Sequence, residues 1–233
     1  MIKIASILLA GGESKRYGSN KLLSPHYHGL PLIQYSLQQI QGLNLASTYV
    51  VTGRWHRDVV DVITANSGEN SNRAKVCYNP SWHEGIASSI RCGLHNLLQE
   101  KNLLPAKSVM QAKNAIQAND NQYTHVLVHL ADLASVTTAS LQALLNEIPS
   151  NPNHIIYSQL HNRDFEAKVK ATVPAIFPKG AFESLLALSG DKGAKKVIED
   201  WKRKGQAIGV NHPESAFDID APSDWKAYLS TGA

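Results

Sequence analysis

Apolar runs alternate with amphipathic stretches along most of the chain. Residues 2–10 form a nearly continuous apolar run, as expected for a strand buried on both faces. The run passes straight into Gly11-Gly12-Glu13. It is read as a first strand, because a signal peptide needs a longer apolar region and a small-residue cleavage site. A loop follows to about Pro31, and residues 31–41 then carry Ile33, Leu37 and Ile40 at helical spacing. A short strand is expected at 49–51, a helix at 55–66 with Val59, Val62 and Ile63 on one face, and a brief strand at 75–78 that stops at Asn79-Pro80. From Gly85 onward Ile86, Ile90, Gly93, Leu94 and Leu97 share one helical face. Residues 99–122 are polar and rich in Gln, Asn, Lys and Ala, and are read as a surface excursion with some helix. A buried strand at 125–130 ends at Ala131-Asp132, and Thr137 or Thr138 then caps a helix. Further strands are expected at 155–157 and 173–177, helices at 179–189 and 192–203, and a last helix starting near Pro222.

Strand and helix in alternation predict an α/β fold, a Rossmann-like three-layer α/β/α arrangement with a mostly parallel central sheet. No internal repeat or long linker divides the chain, so 1–233 is expected to be one domain. No run approaches the roughly 18 apolar residues that would span a bilayer. Lys and Arg number 23 against 19 Asp and Glu, and they are scattered. A nucleic-acid interface would concentrate them in a stripe with interleaved aromatics, so neither a membrane nor a nucleic-acid partner is expected. Cys77 and Cys92 make no disulfide framework, and together with His83 and His129 they fit no zinc spacing. A reducing cytoplasm is the expected setting.

The candidate chemistry begins where the first strand ends, since sheets of this kind bind ligands at the carboxyl ends of their strands. Gly11 and Gly12 permit a sharp turn and close backbone approach, and exposed N–H groups in such a turn cradle anions. Arg16 and Lys21 add positive charge suited to a triphosphate. A Walker loop is excluded because Ser19-Asn20 separates Gly18 from Lys21, and no G-x-G-x-x-G is present. A plain tight connection with solvated charges remains the alternative at this point. Gly85, Ser88 and Ser89 fall in a helix first turn, where free N–H groups and hydroxyls favour anions or polar bases, or simply cap the helix.

The spacing Leu9-Ala10-Gly11-Gly12-x-Ser14-x-Arg16-x-Gly18-x-x-Lys21 resembles the signature of nucleotidyltransferases with a glycosyltransferase-A-like fold, the nucleotide-diphospho-sugar transferase type. Four later segments resemble the molybdenum cofactor cytidylyltransferase-like, MobA-like branch. They are Asn79 with Gly85-Ile86-Ala87-Ser88-Ser89; Leu130-Ala131-Asp132-Leu133-Ala134; Pro174-Ala175-Ile176-Phe177 with Gly190-Asp191-Lys192-Gly193-Ala194-Lys195; and Asp218-Ile219-Asp220-Ala221-Pro222. The resemblance implies a magnesium-dependent transfer of a nucleoside monophosphate from an NTP to a phosphorylated acceptor. Leu9, Ala10, Gly11, Gly12, Ser14, Arg16, Lys21, Asn79, Gly85, Ser88 and Ser89 would bind the nucleotide. Arg16, Lys21 and Asp132 would carry catalysis, and Asp132 would hold the metal. One of Asp218 and Asp220 would give the second metal contact, Asp218 in preference, while the other caps the last helix. Asp191, Lys192 and Lys195 would meet the acceptor. The nucleotide falls to residues of about 1–135 and the acceptor to about 136–233.

The resemblance further implies CTP ahead of GTP, a molybdopterin acceptor, and a molybdoenzyme or cofactor-delivery protein as partner. Two departures qualify it. Ala134 stands where the branch has proline and is expected to loosen that loop, since proline fixes φ. Ala171-Thr172-Val173 replaces glycines and is expected to reshape the acceptor pocket. Transfer to a sugar phosphate, or a binding module without catalysis, are the competing readings.

Overall fold

In the computed structural model, which describes residues 1–65, 74–99, 123–161 and 169–230, the N-terminal apolar run becomes the interior of the sheet. Strand β1 (Ile4–Ala10) is buried at every position after Ile4. It pairs in parallel with β2 (Ser47–Thr52) on one side and β4 (His125–Leu130) on the other. With β3 (Ala74–Tyr78), β5 (Ile155–His161), β6 (Val169–Pro178) and β7 (Ala207–Asn211), the strands form one sheet in the order β3-β2-β1-β4-β6-β5-β7. Only β6 runs against the rest, pairing antiparallel with both β4 and β5. The expected mostly parallel α/β sheet is what forms.

Successive strand residues point to opposite faces, and both faces of β1 are covered. Ile7 and Leu9 pack with helix α3 (Ile86–Gln99), through Ile90, Leu94 and Leu97. The same layer contains α5 (Phe182–Leu186) and α6 (Ala194–Lys202), through Phe182, Leu185, Val197 and Ile198. Leu8 and Ala10 pack on the other side with α1 (Leu32–Gln41), α2 (His56–Ala65), α4 (Thr138–Asn146) and α7 (Asp224–Ser230). Thr137 is the cap of α4, in a reciprocal pair with Ser140. No helix among the described residues is long and apolar enough to cross a membrane.

The structure departs from the sequence expectations in two places. The helix expected at 179–189 is a 3-10 turn (Lys179–Ala181) followed by the short α5. Strand β7 was not foreseen, because Ala-Ile-Gly-Val-Asn at a sheet edge has neither strict alternation nor a continuous apolar run. Residues 100–122, most of the expected polar excursion, lie outside the described residues. Cys77 and Cys92 are free thiols.

Candidate active site

The carboxyl ends of β1 and β4 open into two adjoining cavities. The first, about 310 Å³, is lined by Leu9, Ala10, Gly12, Ser14, Arg16, Lys21, Asp132 and Asp220, among others. The loop above it folds back on itself, with Tyr17 and Gly18 donating backbone N–H groups to Ser14 O at 3.0 and 3.1 Å. Asn20 then caps a 3-10 turn at Lys21–Leu23 by accepting Leu22 N–H at 3.2 Å. That turn drives Lys21 inward, leaving it 9% exposed. From the neighbouring β2–α2 connection, Trp55 Nε1 donates to Glu13 O at 3.0 Å and pins the loop.

Lys21 is the centre of an ion cluster. Its Nζ lies 2.7 Å from Asp132 Oδ2 and 2.9 Å from Asp220 Oδ1, and Arg16 holds Asp220 Oδ2 at 2.6 Å. Burial opposes the charge on Lys21, but Asp132 and Asp220 outweigh it and hold the ammonium above its ordinary pKa. Burial pushes the Asp132 carboxyl up, Lys21 opposes this, and Asp218 adds to it. Asp132 Oδ1 is buried and has no hydrogen-bond partner. A cation ligated there would satisfy that oxygen, so the donor set fits a divalent ion.

The second cavity, about 470 Å³, shares Leu9, Gly12, Glu13, Lys15 and Asp132 with the first and adds Gly11, Trp82, Gly85, Ile86, Ser89 and Asp191, among others. Its wall is organised by Asn79, whose Nδ2 donates to Ser88 Oγ at 2.8 Å and Ser89 Oγ at 3.1 Å. Asn79 Oδ1 accepts Ser81 N–H at 3.0 Å. One glycine is required here, Gly85, and another, Gly11, is closely approached. A Cβ on Gly11 would stand 2.9 Å from Ser89 Oγ. Gly85 has φ +101, and a Cβ there would meet Asp191 Oδ1.

Most residues expected at a nucleotide do line these cavities: Leu9, Ala10, Gly12, Ser14, Arg16 and Lys21 the first, Gly11, Gly85 and Ser89 the second. Asn79 and Ser88 line neither, being buried and bonded to the loop they shape. Of the acceptor candidates, Asp191 reaches the second cavity, whereas Lys192 and Lys195 are exposed and line neither. Residues 171–173 line neither of these two cavities. The cavities do not divide at about residue 135, because Asp220 lines the first and residues 82–89 supply much of the second.

The structure places the two members of the acidic pair differently. Asp220, not Asp218, lines the cavity and binds Lys21 and Arg16. Asp218 is exposed and bridges Leu133 through its backbone, with its charge still felt at Asp132. Residues two apart in an extended segment share a side, so both carboxylates can turn toward Asp132. Neither caps the last helix. Asp224, the first residue of that helix, folds back on the segment before it, accepting Asp220 N–H at 2.8 Å and Ala221 N–H at 2.7 Å.

The loop at Ala134 is not loosened either. Ala134 N–H donates to Phe217 O at 3.2 Å, a bond that proline could not make. Its carbonyl accepts from Tyr228 Oη at 3.1 Å and lies 3.0 Å from His26 Nε2. Sequence reading passed over Glu13, Lys15, Trp55 and Trp82. The two tryptophans lie in the loops just after the carboxyl ends of strands β2 and β3, where ligands are expected, and that placement was the available signal.

A family model described as the MobA-like NTP transferase domain matches residues 6–207. No curated protein is matched by the sequence. Among solved structures, Rv0371c from Mycobacterium tuberculosis H37Rv superposes with TM-score 0.64 at 19% identity, covering 98% of each chain. The same mycobacterial protein is also known in complex with manganese. A nucleotidyl transferase from Methanothermobacter thermautotroptrophicus gives TM-score 0.63 at 15% identity, covering 98% of this chain and 99% of the other. A 4-diphosphocytidyl-2C-methyl-D-erythritol synthase from Anaerococcus prevotii gives 0.67 at 15%, covering 98% and 96%. At these identities the structures establish the shared fold.

Proposed function

The chain belongs to the MobA-like NTP transferases and is a nucleotidyltransferase of that family; from this premise we propose that the two cavities seat an NTP and a small phosphorylated acceptor side by side. The observation that carries the reading is the convergence of Arg16, Lys21, Asp132 and Asp220 beneath the Gly11-Gly12 loop. The triphosphate lies in the first cavity, with the glycine backbone and Ser14 against it and Arg16 and Lys21 on its oxygens. Asp132 and Asp220 hold a magnesium ion, in keeping with the manganese complex of a protein of the same fold. When bound, the ion neutralises phosphate charge and fixes the geometry of the phosphates.

The acceptor enters the second cavity, where Trp82 and Ile86 offer apolar surface and Asp191 an acceptor for N–H or O–H groups. The residues shared by the two cavities bring the acceptor phosphate toward the α-phosphorus. Attack in line displaces pyrophosphate, so no protein nucleophile is required. Lys21 and Arg16 stabilise the charge that gathers on the phosphoryl oxygens.

A small phosphorylated acceptor of the sugar-phosphate kind is the reading preferred. A protein of the same fold is named for a diphosphocytidyl product, which also favours CTP. A molybdopterin acceptor, with GTP as the alternative nucleotide, is the narrower reading and rests on the motif resemblance. The family match supports catalysis over a module that only binds, and the hydrogen bonds that fasten Ala134 are in keeping with it. Two free thiols accord with a cytoplasmic setting.

Pyrophosphate release from CTP, GTP, UTP and ATP, each with magnesium and a panel of phosphorylated acceptors, tests the proposal. Alanine at Lys21 or Asp132 should lower kcat/KM by about 100-fold or more. Near-wild-type turnover in either variant would overturn the assignment.

A further inference from the structure

Lys21 occupies an unusual place for a phosphate-binding lysine. Asp132 at the end of β4 and Asp220 near the C-terminus converge on its ammonium at 2.7 and 2.9 Å. The remaining oxygen of Asp220 is taken by Arg16, and the remaining oxygen of Asp132 is buried without a partner. Two carboxylates aimed at one point, with an unsatisfied oxygen beside it, describe a cation site. The cation in it is the protein's own side chain. Among the described residues no group of three His, Cys, Asp or Glu is gathered to hold a metal, here or elsewhere, so this site offers two carboxylates and no more.

A divalent ion arriving alone meets two difficulties. It must displace Lys21 from both carboxylates, and the displaced ammonium, attached to a residue only 9% exposed, is left without a counter-charge. The protein also offers few ligands, and magnesium sites of this type complete their shell with substrate phosphates. A triphosphate removes both difficulties. Its oxygens accept Lys21 and Arg16, freeing Asp132 and Asp220, and they supply the missing ligands. After the exchange the two cationic side chains face phosphate oxygens and the two carboxylates face the ion, so none of the four is left without a counter-charge.

We propose that Lys21 is a built-in competitor of the divalent ion, which holds the metal carboxylates until a triphosphate draws it away. The inference rests on reading the first cavity as the triphosphate site. It makes metal and nucleotide bind as a unit, each raising the other's affinity by the same factor.

Manganese binding, followed by the electron paramagnetic resonance of the free ion, tests this without turnover. In the wild-type protein an α,β-methylene NTP analogue should tighten manganese binding by about tenfold or more. Without nucleotide, Lys21→Met should bind manganese at least about tenfold tighter than wild type, and the analogue should then tighten it by a smaller factor than in wild type. Lys21→Gln, which keeps hydrogen-bond donors without charge, serves as a second variant should methionine impair folding. Manganese affinity that ignores both Lys21 and the analogue overturns the competition while leaving the nucleotide site standing. Failure of the analogue to bind at all in calorimetry overturns the underlying reading, and the inference with it. The wild-type comparison stands even if both variants misfold, because an analogue that binds without tightening manganese refutes the proposal by itself.

Discussion

Replacing His129 by leucine should flatten the acid limb of the stability profile. His129 lies on β4 and is fully buried, and neither ring nitrogen has a partner among the described groups. Burial, helped by nearby His212, lowers its pKa from 6.5 to about 3. His212 in turn feels Glu214. The folded protein therefore keeps the His129 ring neutral at pH values where the unfolded chain protonates it. Between 6.5 and about 3 the unfolded state binds more protons, so this group's contribution is intact above 6.5 and is lost as the pH falls through that window. At about 1.4 kcal/mol per pH unit, the fall from about pH 7.5 to about pH 5 costs the wild type about 2 kcal/mol at this one residue. Leucine fills a similar volume in apolar surroundings and takes no proton. Urea unfolding of both proteins at both pH values isolates the effect, since the other titrating groups largely cancel between wild type and variant. The wild type should lose about 2 kcal/mol more than His129→Leu on acidification. A difference under about 0.5 kcal/mol, or a greater loss in the variant, would refute the buried neutral ring.

Three further outcomes test the walls of the site. Asn79→Ala should cost about 1–3 kcal/mol in denaturant unfolding, because it removes the bonds to Ser81, Ser88 and Ser89, and it should weaken acceptor binding in calorimetry. Gly11→Ala should weaken nucleotide binding by about tenfold through its contact with Ser89 Oγ, and adding Ser89→Ala should recover most of the loss; additive effects would rule the contact out. Ala134→Pro should lower stability by about 1 kcal/mol, because its N–H donates to Phe217 O, and a more stable variant would show that this bond is dispensable.

The sequence by itself determined the elements whose signals are local. The continuous apolar run of β1 announces a strand covered on both faces. The spacing of Ile86, Ile90, Leu94 and Leu97 announces α3, and Thr137 or Thr138 a cap for α4, which the structure resolves as Thr137. The residues of the first loop lie within thirteen consecutive positions, so their shared cavity was legible before any fold was known. These readings succeed because side-chain periodicity and turn chemistry depend on near neighbours along the chain.

The tertiary structure decided what depends on strand order and on contacts between distant residues. Lys21 and Asp220 are 199 residues apart, and nothing in the spacing of either announces that they touch. The choice of Asp220 over Asp218 followed from where the segment beside Leu133 docks. The lone reversal of β6 and the addition of β7 at the edge follow from pairings that periodicity does not encode. Ala134 shows the same limit from the other side. Read alone, the missing proline means a looser loop, but the fold brings Phe217 O within reach of the N–H that proline would have removed, and the loop is fastened there instead.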